Sequence, residues 1–158
     1  MTYVTVYLAL GSNVGDREGY IRSAVGLIDR PPATRVVRVS AMYETRPYGV
    51  TDQPMFINAA AEVSTTLEPV ELLALCKEAE VAAGRVSRFR WGPREVDVDI
   101  IFYGDSVVDL PGLHVPHQDM HKRLFVLEPM CEIAPDFTHP VLKKTVREMM
   151  TEIRNSTE

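Results

Sequence analysis

Apolar positions along the chain switch between a period of two and a period near 3.6, and the switches predict its elements. Residues 3–10 alternate, with Val4, Val6, Leu8 and Leu10 on one face and Tyr3, Thr5 and Tyr7 on the other, as in a strand. Gly11-Ser12-Asn13 reads as the turn that ends it. Asp16 is placed to cap a helix on which Ile21, Ala24, Val25 and Ile28 recur at helical spacing before Pro31-Pro32. Residues 35–45 alternate again (Val37, Val39, Ala41, Tyr43), and a loop with Pro47, Gly49, Asp52 and Pro54 leads to a third strand over 56–65. Pro69 suits a first helical position, and Leu72, Leu73, Cys76 and Ala79 mark a second helix ending near Gly84. A further strand ends at Tyr103, with a turn at Gly104-Asp105. After residue 107 the pattern weakens: a turn at Pro111-Gly112, a helix around 119–127, breaks at Pro129, Pro135 and Pro140, and a terminal helix over 143–154.

The order strand, helix, strand, strand, helix, strand predicts an α+β chain in the split βαβ arrangement, an antiparallel sheet with helices on one face. At 158 residues this is expected to be a single domain, 1–158. Hydrophobic residues at 46% and charged ones at 25% fit a folded globular chain, and the net charge of −5 argues against a general nucleic-acid or membrane-surface binder. Cys76 and Cys131 have no metal or disulfide spacing, so both are expected to be free thiols in a cytoplasmic protein. No stretch is long enough to span a bilayer. No Walker-type loop occurs, and Gly11-Ser12-Asn13 is taken as structural.

The densest chemistry lies over residues 85–101. Arg85, Arg88, Arg90 and Arg94, the single tryptophan Trp91 and the Gly92-Pro93 turn lead into a strand bearing Asp97 and Asp99. Residues two apart on a strand share a face, about 6 to 7 Å apart. Both carboxylates therefore point one way while Val96, Val98, Ile100 and Phe102 point the other. Close carboxylates repel unless a cation lies between them, and magnesium takes one or two carboxylates, completing its shell with water and phosphate oxygens. Arginine suits bidentate phosphate contact. Singly, an Asp-x-Asp strand and an arginine-rich loop read as solvated surface; the Gly-Pro turn that joins them favours metal-assisted phosphoryl transfer on an aromatic substrate. Phe56 and Asn58 share the opposite face of their strand from Ile57, Ala59 and Ala61. A ring beside an amide serves either to hold a heteroaromatic base or to fill a core. Glu80 falls beside an apolar helical stripe and needs a partner, expected among the arginines that follow. His117 and His121 lie four apart without the Glu of a zinc His-Glu-x-x-His motif; His117 and Arg123 are expected to face phosphates, and His114, His121 and His139 to be ordinary surface residues.

Arg90-Trp91-Gly92-Pro93-Arg94-Glu95-Val96-Asp97-Val98-Asp99-Ile100-Ile101 resembles the signature of the 6-hydroxymethyl-7,8-dihydropterin pyrophosphokinase family of folate biosynthesis. Leu8-Ala9-Leu10-Gly11-Ser12-Asn13, Tyr43-Glu44-Thr45-Arg46-Pro47 continuing to Gln53-Pro54-Met55-Phe56-Ile57-Asn58-Ala59, and Val115-Pro116-His117 with Arg123 and Phe125 match as well. The resemblance implies a ferredoxin-like core with C-terminal additions. It implies an enzyme that moves the terminal diphosphate of ATP onto the pterin hydroxymethyl group, yielding AMP. It assigns Asp97 and Asp99 to magnesium, two ions being expected, and Arg85 and Arg94 to the triphosphate in a catalytic role. It assigns Thr45, Pro47, Phe56, Asn58, Trp91 and Phe125 to the pterin, with Phe56 and Phe125 as a sandwich. Glu80, Ile100, His117 and Arg123 join Arg85 and Arg94 on the ATP side. The loops at 45–54 and 84–94 are expected to act as lids. Small-molecule substrates, no nucleic acid, no membrane and a monomer complete the expectation. Gln118, Gly112 and an 85–91 loop one residue shorter than in some members depart from the family pattern. Rival readings are a non-catalytic ferredoxin-like ligand- or RNA-binding module, separated by magnesium dependence, and a two-metal phosphohydrolase, separated by its products.

Overall fold

The computed structural model describes residues 2–45, 55–84 and 95–156. Pro47, Arg85, Trp91 and Arg94, and all of both expected lids except Thr45 and Gly84, lie outside the described residues.

The first strand, β1 (Val4–Ser12), is longer than its alternation indicates. Gly11 and Ser12 continue the ladder instead of turning, Gly11 pairing with Asn58 on one side and Asp97 on the other. The bend falls at residues 14–16. Helix α1 (Arg17–Ile28) follows, capped by the Asp16 carboxylate, which accepts from the Gly19 N–H at 3.2 Å. The stretch expected as one strand divides into β2 (Thr34–Val39) and β3 (Tyr43–Thr45), both antiparallel to β4 (Phe56–Thr65). Ser40 fills the break: its N–H donates to the Ala60 carbonyl at 2.8 Å, and its hydroxyl accepts from the Ala60 N–H at 2.9 Å. Contrary to the expected alternation, Val36 opposes Val63 and packs on the core, and a bulge between Val36 and Arg38 leaves Val37 as the extra residue, 49% exposed.

Helix α2 (Pro69–Ala83) opens with a capping box between Glu68 and Glu71 and stops at Gly84, whose φ of 118° suits glycine. Strand β5 (Asp97–Tyr103) completes a sheet ordered β2-β4-β1-β5, with β3 pairing the far end of β4. A short hairpin that the sequence pattern did not reveal, β6 (Val108–Leu110) with β7 (Leu113–Val115), turns at Pro111-Gly112. Instead of one helix at 119–127 the chain forms a 3-10 turn, Met120–Lys122, and then α3 (Leu124–Ile133). Pro129, expected as a break, is buried inside α3; α4 (Val146–Ser156) ends the fold. Among the described residues no helix is long and apolar enough to cross a membrane.

The sheet is covered on both faces, not one. Val6, Leu8 and Leu10 of β1 join Ala59, Ala61 and Val98 under α1 and α2, while Tyr7 and Ala60 join Phe102 under α3 and α4. Tyr7, assigned by alternation to the face opposite the core, is buried because the C-terminal helices give that face a core of its own. A bulge in β5 serves the same end. Leu8 opposes Ile100 and Tyr7 opposes Phe102, leaving Ile101 as the extra residue. Phe102 thus leaves the face of Val98 and Ile100, where simple alternation put it, and packs on Phe137 and His139 with ring centroids 4.5 and 5.6 Å away. Phe102→Ala is expected to cost about 3–5 kcal/mol in urea unfolding, whereas Val37→Ala stays within about 0.5 kcal/mol; equal costs would contradict this two-faced core.

Candidate functional site

The register of the sheet assembles the site. Tyr43, Asn58, Gly11 and Asp97 stand in one row across β3, β4, β1 and β5, and Ala60, Ala9 and Asp99 in the next. Directly opposed residues of antiparallel strands share a face. Asn58 and Asp97 therefore face the same side with Gly11 between them, their backbones about 10 Å apart at ordinary strand spacing. A Cβ at Gly11 would lie 3.0 Å from Asn58 Oδ1 and 3.6 Å from Phe56 Cδ1, so the absent side chain keeps the floor between amide and carboxylate open. Reading Gly11 as a turn missed this role. Its position one strand pairing from both motifs was the available signal.

At the amide end, Asn58 is buried and its Nδ2 donates to Thr45 Oγ1 at 2.5 Å. Phe56 pairs with Thr45 across the β3–β4 hairpin. These three expected pocket residues are brought together. Phe125, at the start of α3, packs on the core of the same sheet face, and the Arg123 guanidinium lies 5.8 Å from its ring centroid. Glu132, not singled out in the sequence, reaches from α3 to the hairpin: it accepts from Tyr43 Oη at 2.6 Å and from the Ala41 N–H at 3.1 Å. That hydrogen bond, with some burial, pushes the Tyr43 phenol up to about 12, so it stays a donor.

At the acid end, Asp97 and Asp99 are both half-buried. Buried Glu80 ties α2 to their strand, its Oε2 accepting from the Val98 N–H at 2.7 Å and from Lys77 Nζ at 3.3 Å. Val98 lies between the two aspartates, so this bond fixes the backbone that presents them. The arginines expected to partner Glu80 lie outside the described residues. Because β5 is an edge strand among the described residues, side chains of both its faces reach the cleft beside it. This cleft, of about 250 Å³, is lined by Asp99, Ile100, His117 and Arg123 together with Lys77 and Gln118. The His117 N–H donates to the Ile101 carbonyl at 3.1 Å, and its Nδ1 accepts from the Asp119 N–H at 3.3 Å. Burial, then the nearby Arg123 charge, hold this imidazole below the ordinary histidine value. Arg123 lies 3.6 Å from Asp119.

The other histidines line a neighbouring cleft of about 320 Å³ that shares His117. His139 is not a surface residue: it is 5% exposed, and its Nδ1 accepts from the Val141 and Leu142 N–H groups, which orders that turn. His114 pairs with Asp109 across the β6–β7 hairpin at 2.6 Å. Cys76 is a core thiol that burial pushes up to about 12, and Cys131 is likewise free.

Asp97 and Asp99 suit a hard divalent ion. Among the described residues no group of three or more His, Cys, Asp or Glu side chains converges on a metal position. Two carboxylates on one face, beside a cleft with basic side chains, match an ion that draws its other ligands from water and phosphate oxygens.

The family described as 7,8-dihydro-6-hydroxymethylpterin-pyrophosphokinase (HPPK) matches residues 7–135. The chain is 48% identical over 127 residues to the 2-amino-4-hydroxy-6-hydroxymethyldihydropteridine pyrophosphokinase of Bacillus subtilis, covering 80% of this chain and 76% of that protein. To the enzyme of the same name from Aquifex aeolicus it is 41% identical over 148 residues, covering 94% and 91%. Among solved structures, a triple-mutant HPPK-DHPS of Plasmodium falciparum superposes with a TM-score of 0.76 at 16% identity. That match covers 96% of this chain but only 43% of the larger protein, and supports the fold alone.

Two outcomes follow for this site in the metal-free protein. His117 is expected to titrate below 6.5 in side-chain NMR, and Arg123→Met to move it back up. Since the unfolded chain takes up that proton first as pH falls, the group contributes stability fully present above the unfolded value and lost as pH falls through the lowered folded one. His117→Gln should therefore flatten the acid side of the stability profile; an unchanged slope would contradict the assignment. Separately, Glu80→Ala strands the buried Val98 N–H and should cost about 1–3 kcal/mol in urea unfolding.

Proposed function

The chain belongs to the 7,8-dihydro-6-hydroxymethylpterin-pyrophosphokinase family, and we propose that its sheet-end site carries that family's reaction: diphosphate transfer from ATP to 6-hydroxymethyl-7,8-dihydropterin in folate synthesis. The observation that carries this reading is the row Asn58, Gly11, Asp97, in which a hydrogen-bonding amide and a carboxylate face one side across an open floor. The strand order β5-β1-β4-β2, with α1 and α2 against one face, supports the ferredoxin-like core.

The pterin lies at the amide end. Phe56 and Phe125 supply ring faces, and Asn58, oriented by Thr45, addresses the ring edge. ATP occupies the cleft beside β5, its adenosine near Ile100 and its phosphates toward His117 and Arg123. Glu80 acts on this side by holding the strand. Pro47 and Trp91 belong to the same pterin reading, and Arg85 and Arg94 to the triphosphate and its transition state.

The hydroxymethyl oxygen attacks the β-phosphorus, forming one O–P bond as the bond from that phosphorus to the α–β bridging oxygen breaks. AMP leaves and the hydroxyl proton is lost. Such transfers depend chiefly on positioning and charge neutralisation. Asp97 and Asp99 would hold magnesium, two ions being proposed, which when bound supplies charge neutralisation and lowers the pKa of a coordinated hydroxyl. The described residues contribute orientation: the paired strands fix the distance between pterin and phosphate sites, and Glu80 fixes the acid-bearing backbone. A monomer acting on small molecules suffices for this chemistry.

AMP formation from ATP and magnesium is expected only when 6-hydroxymethyl-7,8-dihydropterin is present, and to fall at least about 100-fold in Asp97→Ala, the scale on which a charge-stabilising group acts in a transition state. Pterin-independent release of inorganic phosphate would favour a hydrolase, and binding of either substrate without AMP would favour a binding module.

A further inference from the structure

The β3–β4 hairpin that carries Thr45 and Phe56 is held from behind by Arg17. Its Nη1 donates to Glu44 Oε2 at 3.0 Å and to the Met55 carbonyl at 2.8 Å. Glu44 precedes Thr45 on β3, and Met55 precedes Phe56 at the start of β4. Thr45 and Phe56 oppose each other in the ladder. One guanidinium therefore spans both arms of the hairpin at the pair that faces the candidate pterin pocket. Alternation explains the side from which it acts. Glu44 opposes Ile57, whose side chain belongs to the core under α1 and α2, whereas Thr45, Phe56 and Asn58 face the other way.

Arg17 is not explained by helix stability. It is the first residue of α1, where the positive end of the helix dipole disfavours a cation, and the cap is supplied by Asp16. Nor does the ion pair stabilise the fold much: its side chains are 31% and 52% exposed, and such pairs contribute roughly 0–1 kcal/mol. What the double contact fixes is separation and register. A guanidinium presents several donors in a rigid plane, so it can hold a carboxylate and a carbonyl at once. On the opposite face Glu132 clamps the same hairpin through Tyr43 and Ala41. The hairpin is thus pinned front and back by α3 and α1.

We propose that Arg17 is a positioning residue for the pterin site, acting through Glu44 and the Met55 carbonyl to hold Thr45, Phe56 and Asn58 in register without touching substrate. This rests on the assignment of those three residues to the pterin. Steady-state kinetics with each substrate varied, together with thermal unfolding, test it. Arg17→Met should raise the KM for 6-hydroxymethyl-7,8-dihydropterin about 3- to 10-fold, the scale of a lost hydrogen bond or two. It should leave kcat and the KM for MgATP within about twofold, and Tm within about 2 °C, as for an exposed pair. Glu44→Gln should move the pterin KM in the same direction, the double variant should add little to Arg17→Met, and Arg17→Lys should recover part of the loss. If Phe56→Ala raises the pterin KM while Arg17→Met does not, the brace is wrong and the pocket stands. If neither variant moves it, the pocket assignment fails and the brace with it. A parallel worsening of both KM values with a lowered Tm would make Arg17 merely structural and overturn the proposal.

Discussion

The structure depends on the antiparallel pairing of β1 with β4 on one side and β5 on the other. That central strand is buried on both faces, and its neighbours carry the two halves of the proposed site: Asn58 on β4 and the aspartates on β5. A slip of one residue in either ladder would turn a whole set of side chains to the wrong face. Burial on both faces makes such a slip costly. The same packing that stabilises the sheet therefore fixes the spacing between amide and carboxylate, and no flexible segment is needed to set it.

Each half of the site has its own brace, and the braces use different physics. At the acid end a buried carboxylate, Glu80, accepts from a backbone N–H of the edge strand, an interaction whose loss leaves an unsatisfied group in the interior. At the amide end, exposed groups hold a three-residue strand that buries little of its own: Arg17 from the α1 side and Glu132 from the α3 side. The first arrangement resists unfolding, while the second mainly restrains geometry. Such a division leaves the edge hairpin adjustable by single surface substitutions that cost the fold little.

The bulges reconcile two cores with one sheet. At Ile101 the extra residue sends Phe102 to the face of Tyr7, so β5 presents carboxylates near its start and aromatic packing near its end on that one face. On β2 the bulge at Val36–Arg38 makes Val37 the extra, exposed residue and sets Val39 opposite Ala61.

Periodicity and punctuation determined much of this protein by themselves. The helix over Ile21 and Ile28, its Asp16 cap, Pro69 at the start of α2 and Gly84 at its end follow from local rules, because capping and glycine or proline geometry act within a few residues. The pairing of Asp97 with Asp99 on one face follows from the strand period alone, and the linked motifs identified the family. Tertiary structure decided what local rules do not reach. It made Gly11 the floor between two motifs instead of a turn, buried the second sheet face under helices from the C-terminal third, and enclosed Pro129 in a helix. It also chose Glu132 and Arg17 as partners for a hairpin distant in sequence. Each of these depends on which strands become neighbours and in what register, a long-range outcome of burying apolar surface that no short window of sequence contains.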